Sequence, residues 1–357
     1  MTSDIRILTI LGARPQFIKA GAVSRAFKSE GGITEQIFHS GQHYDFNMSD
    51  IFFEQMNIPK PNFTCNLEGR THAKMTAEIM VKIEDILLSE AFDAVMVYGD
   101  TNTTLAGSLV SSKLHIPLIH VESGLRSFNR KMPEEVNRVL TDHVSDLLFT
   151  PTAESVKNLK SEGISRGVYL VGDVMYDATL FYKDSMVCPQ SLKADVGFAL
   201  ATIHRQENTD TPQKLRDIIE ALQEIAFSTH VVLPIHPRTR KVLQQLNIDT
   251  SGLELIDPVG YFEMLYLLDH CSAVLTDSGG LQKESYFFKK PCIILREETE
   301  WVELVNNNVG FLAGSNKTKI LESYQDLDKA MNFPTGLYGN GDASNKIAKT
   351  IKSSFRN

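Results

Sequence analysis

Cysteine is scarce in this chain of 357 residues: four, Cys65, Cys188, Cys271 and Cys292, stand far apart. They form neither a CxxC pair nor a zinc-ligand spacing, so no disulfide framework or structural zinc is expected, and a reduced compartment fits. Long apolar runs are missing; none approaches the roughly 20 residues that a membrane-crossing helix needs. The opening Met1-Thr-Ser-Asp-Ile-Arg-Ile enters a strand at once and lacks secretory-signal architecture, so the expected location is the cytoplasm. Excess positive charge is also lacking. The formal net charge of -8 argues against broad binding to nucleic acid or anionic membranes. No Walker A loop, GxGxxG fingerprint, GxSxG elbow or EF-hand loop occurs, and no metal is assigned. There is no tandem repeat and no low-complexity tract.

What the chain does have is a rhythm. Short β-branched apolar runs alternate with amphipathic helical patterns, the signature of parallel α/β sheets. Strands are expected near Ile5–Leu11, Gln36–His39, Ala94–Tyr98, Pro117–Val121, Leu147–Thr150 and Val168–Val171 in the first half. In the second half they are expected near Phe198–Ile203, Val231–Ile235, Leu253–Ile256, Ala273–Thr276 and Pro291–Leu295. The rhythm breaks at about 173–197, around Cys188-Pro189-Gln190, which reads as an interdomain connection. The expectation is two doubly wound, Rossmann-like α/β domains, 1–175 and 176–338, facing a central cleft. A final helix within 339–357 is expected to cross back to the first domain.

Ligands of open α/β sheets bind at the carboxyl ends of the strands. The chemically useful residues fall there. Arg14 follows the first strand, with Pro15 suited to the first helical position and Lys19 about one turn on. Asp100 follows Val95-Met-Val-Tyr-Gly, and Glu122 follows Leu118-Ile-His-Val. Asp100 equally suits a helix N-cap, and Arg126 is a candidate partner for Glu122. Glu134 and Glu135 open a helix after Pro133, where acidic residues commonly complement the helix dipole. If Glu134 joins Asp100 and Glu122, crowding splits their pKa values and suits general acid–base work. His204 and Arg205 end a second-half strand, and His236 repeats the arrangement one strand later. Asp277-Ser278-Gly279-Gly280 joins the strand Ala273–Thr276 to a helix carrying Glu284. A glycine-bearing turn at a helix N-terminus is a phosphate seat, and Glu284 is placed to accept from ribose hydroxyls.

Taken in order, Gly12-Ala-Arg-Pro-Gln-Phe-Ile-Lys19, Gly99-Asp100-Thr-Asn-Thr-Thr, His120-Val-Glu122-Ser-Gly-Leu-Arg126, Pro133-Glu134-Glu135-Val-Asn-Arg138, His204-Arg205 and Asp277-Ser278-Gly279-Gly280-Leu-Gln-Lys-Glu284 resemble the non-hydrolysing UDP-N-acetylglucosamine 2-epimerases. The resemblance runs from the first strand to the C-terminal helix. It implies the GT-B fold, a cytoplasmic homodimer and redox-free inversion at C2 of a UDP-sugar through a bound glycal, with no nicotinamide. Carried over by motif, Asp100, Glu122 and Glu134 are the catalytic carboxylates, and His204 assists UDP departure. Arg14, Ser278, Gly279, Gly280 and Glu284 contact UDP, with Lys19 near the sugar and Arg205 and His236 also on the binding side.

Two departures bear on substrate and regulation. Where family members acting on UDP-GlcNAc often read Thr-Glu-Arg-Pro-Glu, this chain reads Glu298-Thr-Glu300-Trp301-Val-Glu303. An indole cannot make a guanidinium's ionic contacts, so Glu300 and Trp301 become candidates for sugar specificity. This version is similar to epimerases that take modified sugars such as UDP-2,3-diacetamido-2,3-dideoxyglucuronate. Gln42-His43-Tyr44-Asp45 replaces the Gln-His-Arg of members with a second UDP-GlcNAc site, for which Gln42 and Glu135 remain candidates along with His236. The resemblance also leaves in view a hydrolysing 2-epimerase, a GT-B glycosyltransferase and a non-catalytic sensor.

Overall fold

The computed structural model describes residues 4–42, 53, 54, 56, 58–65, 67, 71–194, 197–328 and 331–355. The chain forms two compact units, Met1–Leu180 with Gly336–Asn357, and Phe181–Thr335.

The first unit runs β1 (Ile5–Leu11), α1 (Arg14–Glu30), β2 (Ile33–His39), β3 (Phe63–Thr64), α2 (His72–Ser89), β4 (Ala94–Tyr98), α3 (Asn102–Lys113), β5 (Leu118–Val121), α4 (Pro133–Val144), β6 (Leu147–Thr150), α5 (Ala153–Ser161), β7 (Val168–Leu170) and α6 (Val174–Tyr182). Its strands make one parallel sheet in the order β3-β2-β1-β4-β5-β6-β7. Strands covered on both faces read as continuous apolar runs, and β4 (Ala-Val-Met-Val-Tyr) is buried throughout. On one face Leu8, Ile10, Val95 and Val97 pack against Ile79, Ile83 and Leu87, which recur at helical spacing along α2.

The second unit runs β8 (Ala199–Thr202), α7 (Gln206–Thr209), α8 (Pro212–Ile225), β9 (Val231–Pro234), α9 (Pro237–Gln245), β10 (Leu253–Ile256), α10 (Tyr261–His270), β11 (Ala273–Thr276), α11 (Gly279–Phe287), β12 (Cys292–Ile294), α12 (Val302–Asn306), β13 (Gly310–Leu312) and α13 (Lys317–Gln325). Its parallel sheet has the order β10-β9-β8-β11-β12-β13. Alternate strand residues go to opposite faces. Leu275 and Ile293 meet Leu215, Ile218, Ile219 and Leu222 of α8, whereas Val274 and Ile294 meet Leu267 and Leu268 of α10.

The last helix, α14 (Ala343–Phe355), belongs to the first unit and packs on α1. Asp177 of α6 accepts the N–H groups of Ala343 (3.2 Å) and Ser344 (2.7 Å), orphan donors of the α14 N-terminus. Lys352 donates to the Glu30 carbonyl (3.0 Å) and carboxylate (2.9 Å) at the end of α1. This clasp explains why most of α6 stays with the first unit and the boundary falls at 180/181, later than 175/176.

In each sheet the chain starts in the middle, builds outward, then returns to the other side of its first strand. The switch points lie between β1 and β4 in one sheet and between β8 and β11 in the other. At such a point the adjacent turns diverge and leave a crevice. No helix among the described residues is long and apolar enough to cross a membrane.

Candidate active site

The turns that follow β1, β4 and β5 lie on adjacent strands of the first unit. Pro15 sits in the first turn of α1, and half-buried Arg14 is its first residue. A single buried amide joins two of these turns. Gln16 Oε1 accepts from Gly12 N–H (2.7 Å) and Ala13 N–H (3.0 Å), while its Nε2 donates to the Tyr98 carbonyl (2.6 Å) and the Thr104 hydroxyl (3.0 Å). Close approach demands glycine at position 12, where a Cβ would overlap the Thr103 and Ser40 hydroxyls.

Lys19 is buried and forms an ion pair with Glu122, so it is no solvated surface lysine. Glu122 takes a left-handed φ of 73°, a strained conformation for a residue with a Cβ. Its N–H and that of Ser123 both donate to the Phe149 carbonyl at 3.1 Å, which holds the turn. Gly99 (φ 62°) lies alongside, where a Cβ would come within 3.4 Å of the Glu122 carboxylate and 3.8 Å of the Lys19 ammonium.

The α3 N-cap is Thr101, whose hydroxyl accepts from Thr104 N–H (3.2 Å). Asp100 is thereby released from capping, and its carboxylate pairs with Arg138 of α4. Glu134 is half-buried in the first turn of α4, with no hydrogen bond or ion pair to it among the described residues. Asp100 and Glu122 each meet a cation of their own.

Arg126 does not pair with Glu122. Its Nη1 donates to Asp142 (2.7 Å), and its Nε and Nη2 grip Glu162 with two 2.7 Å bonds. Asp142 also accepts from His120 Nδ1 (2.7 Å) and Gly124 N–H (3.0 Å). Burial alone would raise the Asp142 carboxyl; the His120 ring and the Arg126 guanidinium outweigh it and hold it below the usual range.

Glu135 is buried and accepts from the N–H groups of Ser127 (2.9 Å) and Phe128 (3.0 Å), so it anchors the loop before α4. Gln42 accepts from the Thr103 N–H (3.1 Å) and hydroxyl (2.8 Å) at the start of α3. Two of the three candidates for a second ligand site, Glu135 and Gln42, thus serve local structure. His43, Tyr44 and Asp45 lie outside the described residues.

At the second unit's switch point, Asp277 is fully buried after β11. It accepts from the backbone N–H groups of His204 (3.1 Å) and Arg205 (3.0 Å) and from Asn208 Nδ2 (3.1 Å), and its carboxylate faces His204 Nδ1 at 3.0 Å. Burial would raise its carboxyl, but the His204 ring, the Arg205 N–H and the Asn208 amide hold it low. The His204 side chain stays half exposed, so Nδ1 is committed and the Nε2 edge is the one left for a ligand. Ser278 is the N-cap of α11, its hydroxyl 3.5 Å from Leu281 N–H, and Gly279 and Gly280 form the first helical residues.

A Cβ at Gly279 would overlap Glu300 and lie 3.8 Å from Trp301 Nε1, which places both specificity candidates against the glycine turn. Trp301 is buried, with Lys283 Nζ 4.5 Å from its ring centroid, and Glu300 pairs with Arg296 (3.0 Å). Glu284 is buried on α11. His236 is exposed and caps α9 by accepting from Arg238 N–H (3.3 Å). Among the described residues no His, Cys, Asp and Glu cluster is arranged to hold a metal.

This geometry has relatives. The family model described as UDP-N-acetylglucosamine 2-epimerase matches residues 25–352. The chain belongs to the UDP-N-acetylglucosamine 2-epimerase family. It is an isomerase of that family, a UDP-sugar 2-epimerase with a GT-B-like α/β fold. A UDP-2,3-diacetamido-2,3-dideoxy-D-glucuronate 2-epimerase of Pseudomonas aeruginosa is 51% identical over 97% of this chain and 99% of its own length. A UDP-N-acetylglucosamine 2-epimerase homolog of Methanococcus maripaludis is 47% identical over 98% and 100%. The crystal structure of Methanocaldococcus jannaschii UDP-GlcNAc 2-epimerase in complex with UDP-GlcNAc and UDP is 39% identical, with a TM-score of 0.87 over 98% of this chain and 100% of that one.

Gln16, Asp142 and Asn208 were not singled out from the epimerase sequence. They hold residues that flank the functional ones, Gln16 the Tyr98 carbonyl, Asp142 the His120 ring and Gly124 N–H, and Asn208 the Asp277 carboxylate, and no local spacing announces them. Asp277 was read as part of the phosphate seat, whereas its carboxylate orients His204. The one available signal was Asp277 itself, an acidic residue ending a wholly apolar strand, which needs partners.

Proposed function

We propose that this epimerase inverts C2 of UDP-2,3-diacetamido-2,3-dideoxyglucuronate by removing UDP and adding it back. In the first step a carboxylate of the Asp100, Glu122 and Glu134 set takes the C2 proton. The C–H electrons form the C1–C2 double bond as the C1–O bond breaks and UDP leaves with its electron pair. In the second step the β-phosphate oxygen re-forms the bond to C1, and C2 takes a proton on its opposite face. Atoms and charge balance without any redox partner, so no cofactor is consumed.

The observation that carries the chemistry is the pair of ion-paired carboxylates on the neighbouring turns after β4 and β5. Two such groups supply proton removal from one face and delivery to the other. The seat at Ser278, Gly279 and Gly280 offers backbone N–H groups and a helix dipole to the diphosphate. His204, oriented by Asp277, supports the charge that develops on UDP as it departs. Arg14, Arg205 and Glu284 complete the UDP contacts, and Lys19 fixes Glu122.

The choice of sugar rests on the 51% identity to the glucuronate enzyme and on Trp301 beside the glycine turn. UDP-N-acetylglucosamine is the second reading, favoured by the overall likeness to the complex with UDP-GlcNAc. The enzyme is proposed to act in the cytoplasm as a homodimer in surface polysaccharide biosynthesis, for an O-antigen or a capsule. Val81 and Leu88, seven residues apart on α2 and therefore near one face, are exposed and offer apolar area to a second copy.

The test is an NMR time course in D2O with each UDP-sugar. Deuterium at C2 with a UDP-linked manno product from the glucuronate alone supports the proposal. Exchange with UDP-N-acetylglucosamine alone supports the second reading. Release of UDP and free sugar means a hydrolysing enzyme, and tight UDP binding without exchange overturns the epimerase mechanism.

A further inference from the structure

We propose that His120 is a positioning residue for the C2 proton transfer, tying the turn that carries Asp100 to the turn that carries Glu122. The inference rests on the epimerase reading above. His120 is fully buried in β5 and touches no ligand surface, so it acts through its neighbours.

Its ring spans two strands. Nε2 is 2.8 Å from the Gly99 carbonyl, in the peptide that leads directly into Asp100. Nδ1 is 2.7 Å from Asp142 Oδ1, and the other oxygen of Asp142 accepts from Gly124 N–H (3.0 Å), two residues beyond Glu122. A carbonyl and a carboxylate only accept here, so the ring donates from both nitrogens. The line from the Gly99 carbonyl through His120 and Asp142 to the Gly124 N–H therefore brackets both catalytic turns.

Each turn needs such support. Gly99 and Glu122 both adopt left-handed backbone, and for Glu122 that conformation persists only if its surroundings over-determine it. Arg126 steadies the far end of the line by holding Asp142 on one side and Glu162 on the other. Removal and return of a proton on opposite faces of one carbon sets the spacing of the two carboxylates. A displacement of about 1 Å costs on the order of 100-fold in rate.

The test compares two variants with the UDP-sugar that the wild-type enzyme epimerises. In His120→Gln the amide nitrogen lies near the Nε2 position and keeps a donor for the Gly99 carbonyl. In His120→Asn it lies near the Nδ1 position, keeps a donor for Asp142 and loses Gly99. We expect kcat to fall about 100-fold in the Asn variant and about tenfold or less in the Gln variant, with KM and UDP affinity within roughly two-fold of wild type in both. A role limited to filling the core would make kcat follow the folded fraction. A kcat that follows the folded fraction in both variants, or wild-type kcat in His120→Asn, would overturn the proposal.

If neither variant folds, histidine-labelled wild-type protein decides. A hydrogen-bonded N–H should be seen at each of the two His120 contacts in the folded enzyme, and a contact without one sinks the tie. If the wild-type enzyme exchanges C2 on no UDP-sugar, the epimerase mechanism fails, while the ring measurement still judges the tie itself.

Discussion

At the first unit's switch point, side chains hold side chains. Lys19 meets Glu122, Arg138 meets Asp100, and Gln16 and His120 sew the adjoining turns together. At the second unit's switch point, the working surface is mostly backbone: the α11 N-terminus behind Ser278, two glycines, and the peptide N–H groups of His204 and Arg205 turned onto Asp277. The difference matches what the proposed reaction asks of each. Moving a proton requires carboxylates whose position and charge are set one by one, and only side chains offer that control. Gripping a diphosphate requires several donors at once and no titration, which a helix N-terminus provides.

This contrast is broken most severely by Glu122→Gln, which keeps the shape and removes the titrating group. C2 exchange should fall about 10³-fold while UDP affinity stays within roughly two-fold. NMR exchange and calorimetry read the two quantities, and near-wild-type exchange would remove Glu122 from the chemistry.

Ser278→Asp probes the backbone seat. Aspartate caps a helix as well as serine does, so α11 is preserved, but its charge opposes the diphosphate. UDP affinity should weaken about tenfold, or ~1.4 kcal/mol. An unchanged dissociation constant would rule out the seat.

Two buried carboxyls sharpen the comparison by shifting in opposite directions. Asp277, surrounded by donors, is held low, and its stabilisation is present above the unfolded value of 3.8 and lost as pH falls through the lower folded value. Asp277→Asn should therefore cost about 1–2 kcal/mol at pH 7, with the gap to wild type closing in acid. A gap that is constant with pH in thermal melts would contradict the carboxylate's role.

Glu35, on β2, bonds Thr9 of β1 and Ser24 of α1. Burial raises its carboxyl above 4.5 despite bonds from Ser24 (2.5 Å) and Thr9 (2.6 Å) and the charge of Lys28. Its contribution is full below the unfolded value and lost as pH rises through the raised one. Glu35→Gln should therefore stabilise the protein by roughly 1 kcal/mol at neutral pH, less in acid, and leave turnover unchanged. Denaturant midpoints at two pH values check this smallest effect.

Much of this was legible in the sequence because parallel sheets advertise themselves. The runs Ile5–Leu11, Ala94–Tyr98, Leu147–Thr150 and Ala273–Thr276 are strands with those same ends, since each is an apolar block cut off by polar or glycine residues. Arg14, Asp100, Glu122, His204 and Ser278 could be placed at strand ends for the same reason. The edge strands β3 and β13, of two and three residues, are too short for periodicity to register. Partner choice was the other blind spot. Arg126 stands four residues from Glu122 yet reaches Asp142 and Glu162, because the left-handed turns at Glu122 and Gly124 redirect the chain. Thr101 rather than Asp100 caps α3, a one-residue difference that only the backbone angles decide.

The clasp between Asp177 and α14 gives the molecule an order in time. A ribosome delivers all of Phe181–Thr335 before it delivers the helix that completes the first unit. Until then the α1 surface that α14 covers stays open to the surroundings, and Asp177 lacks the N–H groups it will receive. A nascent chain thus holds the whole of the second unit before it can finish the first. Synthesis interrupted between the two leaves the first unit without its closing helix, with exposed apolar surface for quality control to find.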